Sequence, residues 1–240
     1  MKNKVSHSFD HAVSNIPNGS TIMIPGFAGP GTPRNLIAAL LRQGAKDLTA
    51  ISNHPGSGPM DDQMDLGKLV EAGRMKKVIC SFTAAPHPSQ TTPFEKLYNE
   101  GTIEGELLPQ GTLAERIRAA GAGVGAFYTR AGLGTEIAAG KEHRVINGVE
   151  YILEYPLTAD YAFIRAFRSD TFGNLQYRLS QRNFNPIMAM AARTTIVEVE
   201  ETIVEIGVID PDHVHTPGIF VNQVVQIPVD GIWDQPIYRG

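Results

Sequence analysis

A turn, a short apolar run, a glycine-rich loop and an amphipathic helix follow one another between Asn18 and Leu41, and this order constrains the fold more than any other feature of the chain. Asn18-Gly19 is a turn dipeptide. Thr21 to Ile24 is rich in isoleucine and suits a buried strand. Pro25-Gly26-Phe27-Ala28-Gly29-Pro30-Gly31 then turns the chain, its glycines admitting left-handed backbone and close approach of another group. Thr32 reads as an N-cap and Pro33 as the first helical residue. Leu36, Ile37, Leu40 and Leu41 follow at helical spacing, with Gly44 as the stop. A helix starting at such a loop aims bare N–H groups and positive partial charge forward, which favours a carboxylate, oxyanion or phosphate there. Taken alone, the loop also fits a tight connection without a ligand. The glycine spacing is not G-x-G-x-x-G and no Lys-Ser/Thr follows, so the common nucleotide-binding motifs fit poorly.

The same alternation continues. Strands are expected at Leu48–Ser52, Val78–Phe82 and Ile103–Leu108, and helices at Leu66–Ala72 and Phe94–Asn99. Such βαβα order predicts an open, largely parallel sheet flanked by helices. Beyond residue 140 the pattern changes. Arg144-Val145-Ile146, Asn147-Gly148 and Val149–Leu153 form a hairpin signal with a type I′ turn, giving a small antiparallel insertion. Pro186–Ala192 reads as helical, and Thr195–Val199 and Ile219–Ile227 as later strands.

With 240 residues, 42% hydrophobic and 19% charged, the chain suits one globular domain spanning residues 1–240. A net charge of -4 leaves no nucleic-acid footprint, and no apolar run reaches membrane-spanning length. Cys80 is the single cysteine, which excludes an intrachain disulfide and a cysteine-based metal site. The polar start of the chain lacks a secretory signal, so a cytoplasmic location is expected.

A second loop precedes a helix at Pro109-Gln110-Gly111-Thr112, with Thr112 and Glu115 in a capping-box pattern. Gln110 thus falls at the carboxyl end of a strand, where open α/β sheets bind ligands. Its amide can donate to a carboxylate without adding charge, or satisfy nearby backbone. Asn53 takes the equivalent place after the second strand and can donate to a developing oxyanion, or serve as a turn residue. His54 offers a hydrogen bond or acid–base group, or an ordinary loop histidine. His213 and His215 have strand-like spacing and no evident acidic third ligand, which favours a loop role over a metal pair.

Together these segments resemble the α subunit of family I CoA-transferases, in the 3-oxoadipate and succinyl-CoA:3-oxoacid branch. The likeness rests on Asn18–Pro33, Ile51-Ser52-Asn53, Pro109–Arg118, Gly121–Thr129, Gly132–Thr135, Arg182-Asn183-Phe184-Asn185 and Thr194–Glu201. It implies an open α/β subunit of a heteromer, expected as α2β2 or another αβ multiple. In that family a β-subunit glutamate attacks an acyl-CoA, here expected to be succinyl-CoA, and CoA passes through acyl-enzyme intermediates to a short 3-oxo acid. The resemblance therefore implies no catalytic nucleophile in this chain and no permanently bound cofactor or metal, with a CoA thioester as substrate. It implies that Gln110 faces the substrate acid, Asn53 lies near the reacting carbonyl, and Gly26, Phe27, Gly29 and Gly31 with His54 line the pocket. Glu198, Glu200, Glu201 and Glu205 read as a charged strand edge and turn, and Arg182–Asn185 as structural or a contact between subunits.

Several positions depart from the family pattern. Pro25 stands where a glycine is usual and removes one N–H, and His54 replaces the second Asn of Ser-Asn-Asn. Gln181 stands before Arg-Asn-Phe where a small residue is usual, and the loops Pro55–Asp65 and Thr83–Pro93 look long. These changes imply an altered acceptor acid. Two other classes compete: a CoA-ester hydrolase whose partner lacks the glutamate, and a non-catalytic ligand sensor. The tail with Trp233 and Tyr238 is expected to pack on the partner or to fray.

Overall fold

The computed structural model describes residues 2–27, 29–57, 63–85 and 89–228. Pro86, His87 and Pro88, the middle of the Pro55–Asp65 loop, and Trp233 and Tyr238 lie outside the described residues. In chain order the first half runs α1 (Phe9–Val13), β1 (Thr21–Met23), α2 (Arg34–Gln43), β2 (Leu48–Ile51), α3 (Leu66–Glu71), β3 (Met75–Cys80), α4 (Pro93–Asn99), β4 (Glu104–Leu107) and α5 (Gln110–Gly121). The second half runs β5 (Phe127–Thr129), β6 (His143–Ile146), β7 (Val149–Glu154), β8 (Ala159–Ala166), β9 (Arg168–Ser169), β10 (Leu175–Gln176), α6 (Asn185–Ala191), β11 (Ala192–Val199) and β12 (Gln223–Gln226).

Seven strands form one sheet in the order β12-β11-β8-β1-β2-β3-β4, and every pairing in it is parallel. Both faces are covered, as a parallel sheet requires. Alternation decides the partners: Ile22 and Ile24 pack with α1 to α4, whereas Met23 between them packs with α5 and α6. The antiparallel part is a separate sheet, β5-β7-β6, turned at Asn147 and Gly148, both with positive φ. It begins earlier than the hairpin signal, because β5 pairs with β7 across 127–129.

Some expectations shift. β3 starts at Met75, before its apolar core, because Lys77 still pairs in register with both β2 and β4. Ile219 lies in a 3-10 turn and is 73% exposed, so the last strand is shorter than its apolar run.

Candidate functional site

Parallel pairing brings the carboxyl ends of β1 to β4 to one edge of the sheet, and the expected site residues follow those ends. Asn53 comes two residues after β2 and is buried. Gln110 is the first residue of α5 and is exposed. β3 lies between their strands, and its successor Ser81 donates its N–H to Asn53 O at 3.1 Å. Gln110 Nε2 reaches over and donates to Asn53 Oδ1 at 2.7 Å. With Oδ1 so engaged, the Asn53 amide is oriented, and its Nδ2 has no hydrogen-bond partner among the described residues. The pair therefore presents a fixed N–H donor, the element needed to stabilise a developing oxyanion.

His54 stacks on Phe82 with ring centroids 6.5 Å apart. Its Nδ1 accepts the Gly56 N–H at 3.1 Å, which places the ring proton on Nε2 when the imidazole is neutral. Burial lowers its pKa from the ordinary 6.5, outweighing Asp65 and the Gly56 contact, which raise it. Neutral His54 is thus an Nε2–H donor whose only lone pair is already taken, an arrangement unsuited to a general base.

The glycine-rich loop departs most from expectation. α2 begins at Arg34, and its N-cap residue, Pro33, supplies no side-chain cap. The Thr32 hydroxyl is buried without a partner, because it packs over Gly26: a Cβ at Gly26 (φ +133°) would stand 2.3 Å from Thr32 Oγ1. Two loop N–H groups are spent internally, Phe27 N on Pro30 O at 3.2 Å and Thr32 N on Gly29 O at 3.3 Å. The start of α2 instead receives the carboxylate of Glu198. Its Oε2 accepts from Asn35 N at 2.9 Å and Leu36 N at 3.1 Å. Its Oε1 accepts from Asn35 Nδ2 at 3.4 Å and Arg165 Nη1 at 3.0 Å. Glu198 is fully buried in an interior strand, not at a charged edge. Burial pushes its carboxyl pKa upward, while Arg165 and the α2 donors oppose the shift. Four donors and no acceptor surround it, the pattern that suits a carboxylate. The anion expected at α2 is therefore the protein's own.

Gly31 is clamped from the other side. Asn185 Nδ2 donates to Gly31 O at 3.1 Å, and Asn183 Nδ2 to Pro30 O at 3.0 Å, which gives the Arg182–Asn185 segment its structural role. Gln181 joins it through Nε2 to Glu200 Oε1 at 2.8 Å. Phe27 remains 49% exposed at the mouth of the loop.

α5 contrasts with α2. Pro109 is its N-cap, no side chain caps it and no acid lies in its first turn. The expected capping box does not form: Thr112 Oγ1 is buried without a partner, and Glu115 pairs with Arg118. The N–H groups of Gln110, Gly111 and Thr112 have no partner among the described residues, so this helix end is open to an anion. Next to it a cavity of about 370 Å³ lies between α5 and β5, lined by Gly111, Thr112, Tyr128 and Ala131 among others.

No metal-ligating group of His, Cys, Asp or Glu exists among the described residues. His215 accepts the Tyr177 N–H through Nδ1 at 2.9 Å and stacks on that ring, a loop role. No helix among the described residues is long and apolar enough to cross a membrane. Sequence reading missed the buried Glu198–Arg165 pair. The available signal was an acid flanked by Val197 and Val199 in a strand with apolar faces.

The model of the coenzyme A transferase family matches residues 6–226. The chain is 51% identical over 227 residues to the A subunit of 3-oxoadipate CoA-transferase from Pseudomonas putida, covering 95% of each. It is 48% identical over 222 residues to the A subunit of a probable succinyl-CoA:3-ketoacid coenzyme A transferase from Bacillus subtilis (strain 168), covering 92% of this chain and 89% of the relative. Among solved structures, glutaconate coenzyme A-transferase from Acidaminococcus fermentans superposes with a TM-score of 0.79 at 23% identity, over 94% of this chain and 76% of that one.

Proposed function

The chain belongs to the coenzyme A transferase family, and from that premise we propose that it is the α subunit of a heteromeric enzyme moving CoA from succinyl-CoA to a short 3-oxo acid. One observation carries the reading: Gln110 holds the Asn53 amide so that Nδ2, without a partner among the described residues, is a donor at the carboxyl edge of the sheet. Among the described residues the site supplies donors and no nucleophile. The nearby carboxylates are consumed, Glu198 by the start of α2 and Asp65 by the N–H groups of Ser57 and Gly67. The nucleophile is accordingly the β-subunit glutamate of the family pattern.

In this scheme the partner's carboxylate attacks the thioester carbonyl and expels the CoA thiolate, leaving an acyl-glutamyl anhydride. The thiolate attacks the glutamyl carbonyl and releases the donor acid, giving a glutamyl thioester. The acceptor carboxylate then attacks that thioester, forming a new anhydride, and the returning thiolate takes the acceptor's acyl group and frees the glutamate. Each attack builds an oxyanion, and Asn53 Nδ2 is the donor this chain offers it. Gln110 and the open first turn of α5 receive the acid's carboxylate, and Gly26, Phe27, Gly29 and Gly31 with His54 form the adjoining wall. Residues 1–240 act as one unit in the cytoplasm, in an α2β2 or other αβ multiple, with the CoA thioester as substrate and no resident cofactor.

The test is co-expression with the β subunit, followed by assay of succinyl-CoA with 3-oxo acids. Transfer by the pair and none by this chain alone supports the assignment; activity of this chain alone overturns it. Hydrolysis is disfavoured by His54, whose Nδ1 lone pair is taken by Gly56 N–H.

A further inference from the structure

We propose that Glu198 is a positioning residue for the substrate-facing loop: its carboxylate sets where α2 begins, and with Arg165 and Asn185 it fixes where Gly26 to Gly31 stands against the pocket. The inference rests on the reading of that loop as a pocket wall.

Glu198 on β11 and Arg165 on β8 are direct partners in the parallel register. Glu198 Oε2 gathers the N–H groups of Asn35 and Leu36 at 2.9 and 3.1 Å, which pins the first turn of α2 to β11. From the neighbouring strand, Arg165 N donates to Asn185 Oδ1 at 2.9 Å, and Asn185 Nδ2 donates to Gly31 O at 3.1 Å. The loop is thus held from two sides, by the Glu198 carboxylate through α2 and by Asn185, which is itself oriented by the main-chain N–H of Arg165. Arg165 Nε also binds Glu200 Oε1 at 2.7 Å, so the guanidinium is itself braced.

Packing alone does not call for such a pair. An apolar side chain at 198 would fill the sheet without the desolvation cost of two buried charges. What it could not supply is an acceptor for two helix-terminal N–H groups, and hence a fixed start for α2. Because the carboxylate already neutralises that helix end, the loop contributes shape to the pocket, and the substrate anion goes to the uncapped start of α5. The placement of one internal acid therefore decides which of two strand-to-helix turns is the anion site.

The test uses the complete αβ complex with three variants of this chain. Glu198→Gln keeps the size but leaves one acceptor oxygen, which cannot serve both Arg165 Nη1 and the N–H groups of Asn35 and Leu36, so the hold on the start of α2 is weakened; Arg165 keeps Glu200. Asn185→Ser releases Gly31 and leaves the ion pair intact. Phe27→Ala reports whether the loop touches substrate at all. The expected result is a rise of about tenfold in KM for the acceptor acid in Glu198→Gln and Asn185→Ser, with kcat within about threefold and KM for the acyl-CoA unchanged. A fall in Tm with both KM values unmoved would show a merely structural role and overturn the proposal. If Phe27→Ala raises the acid KM and the other two do not, positioning by Glu198 is wrong while the loop reading stands. If all three leave it unchanged, both are wrong. Should Glu198→Gln not fold, Glu198→Asp, which keeps the charge but shortens the reach to Asn35 N and Leu36 N, is read in the same way.

Discussion

Gln110 Nε2 donates to Asn53 Oδ1 at 2.7 Å, joining side chains 57 positions apart at the ends of two strands that are not neighbours. The contact orients the Asn53 amide. Asn53→Ala should lower kcat of the αβ complex by about a hundredfold, the usual loss for one oxyanion donor. Asn53→Asp should fall as far, since a carboxylate still accepts from Gln110 but offers no donor. Gln110→Ala should cost about tenfold in kcat, because Asn53 remains but is free to rotate. Steady-state kinetics on the three variants check this ordering.

Gly31 and Gly148 share a φ of +77° but differ in surroundings. A Cβ on Gly31 would meet Gln181 O at 2.6 Å and the Nδ2 atoms of Asn183 and Asn185 at 2.7 Å, whereas Gly148 has nothing within 4 Å. Gly148→Ala should therefore cost only the backbone strain, about 1 kcal/mol. Gly31→Ala should cost about 3 kcal/mol, the same strain plus forced movement of the clamp. Urea unfolding of the two variants isolates the steric part; equal losses would contradict the packing described around Gly31.

Burial lowers the His54 pKa below 6.5. The unfolded chain therefore takes up this proton before the folded one as pH falls. The His54 contribution is fully present above pH 6.5 and is lost on descending toward the folded-state value, with a slope of at most about 1.4 kcal/mol per pH unit. The His54→Gln variant should have a flatter stability curve as pH falls below 6.5, measured by chemical denaturation. A wild-type curve no steeper than the variant's would show that the histidine is not buried in its neutral form.

The Thr112 hydroxyl is buried and has no partner. Thr112→Val keeps its shape and removes the unsatisfied group, so stability should be unchanged or raised by up to about 1 kcal/mol. Were Thr112 the N-cap that its spacing from Glu115 implies, the same change would cost about 1 kcal/mol. The sign of the Tm shift separates the two.

Local pattern was enough for the framework. The apolar runs at β1 and β2, the Gly44 stop and the Asn147-Gly148 turn all lie where short-range chemistry places them, because each depends on residues within a few positions of itself. The turn-strand-loop-helix order between Asn18 and Leu41, repeated as βαβα through the first half, determined a parallel α/β sheet. It did not determine what sits in front of α2. Thr32 and Thr112 look like caps in one dimension, yet neither caps its helix. A helix end takes whichever donor or acceptor the fold brings to it, and for α2 that is Glu198, 163 positions from Asn35. Gln110 and Asn53 were legible as polar residues after strands, but their union depends on the order β2-β3-β4 and on side chains long enough to reach across β3. Strand order and cross-strand register are long-range quantities, and they decided which helix terminus is filled, which is open, and which amide nitrogen is left to bind.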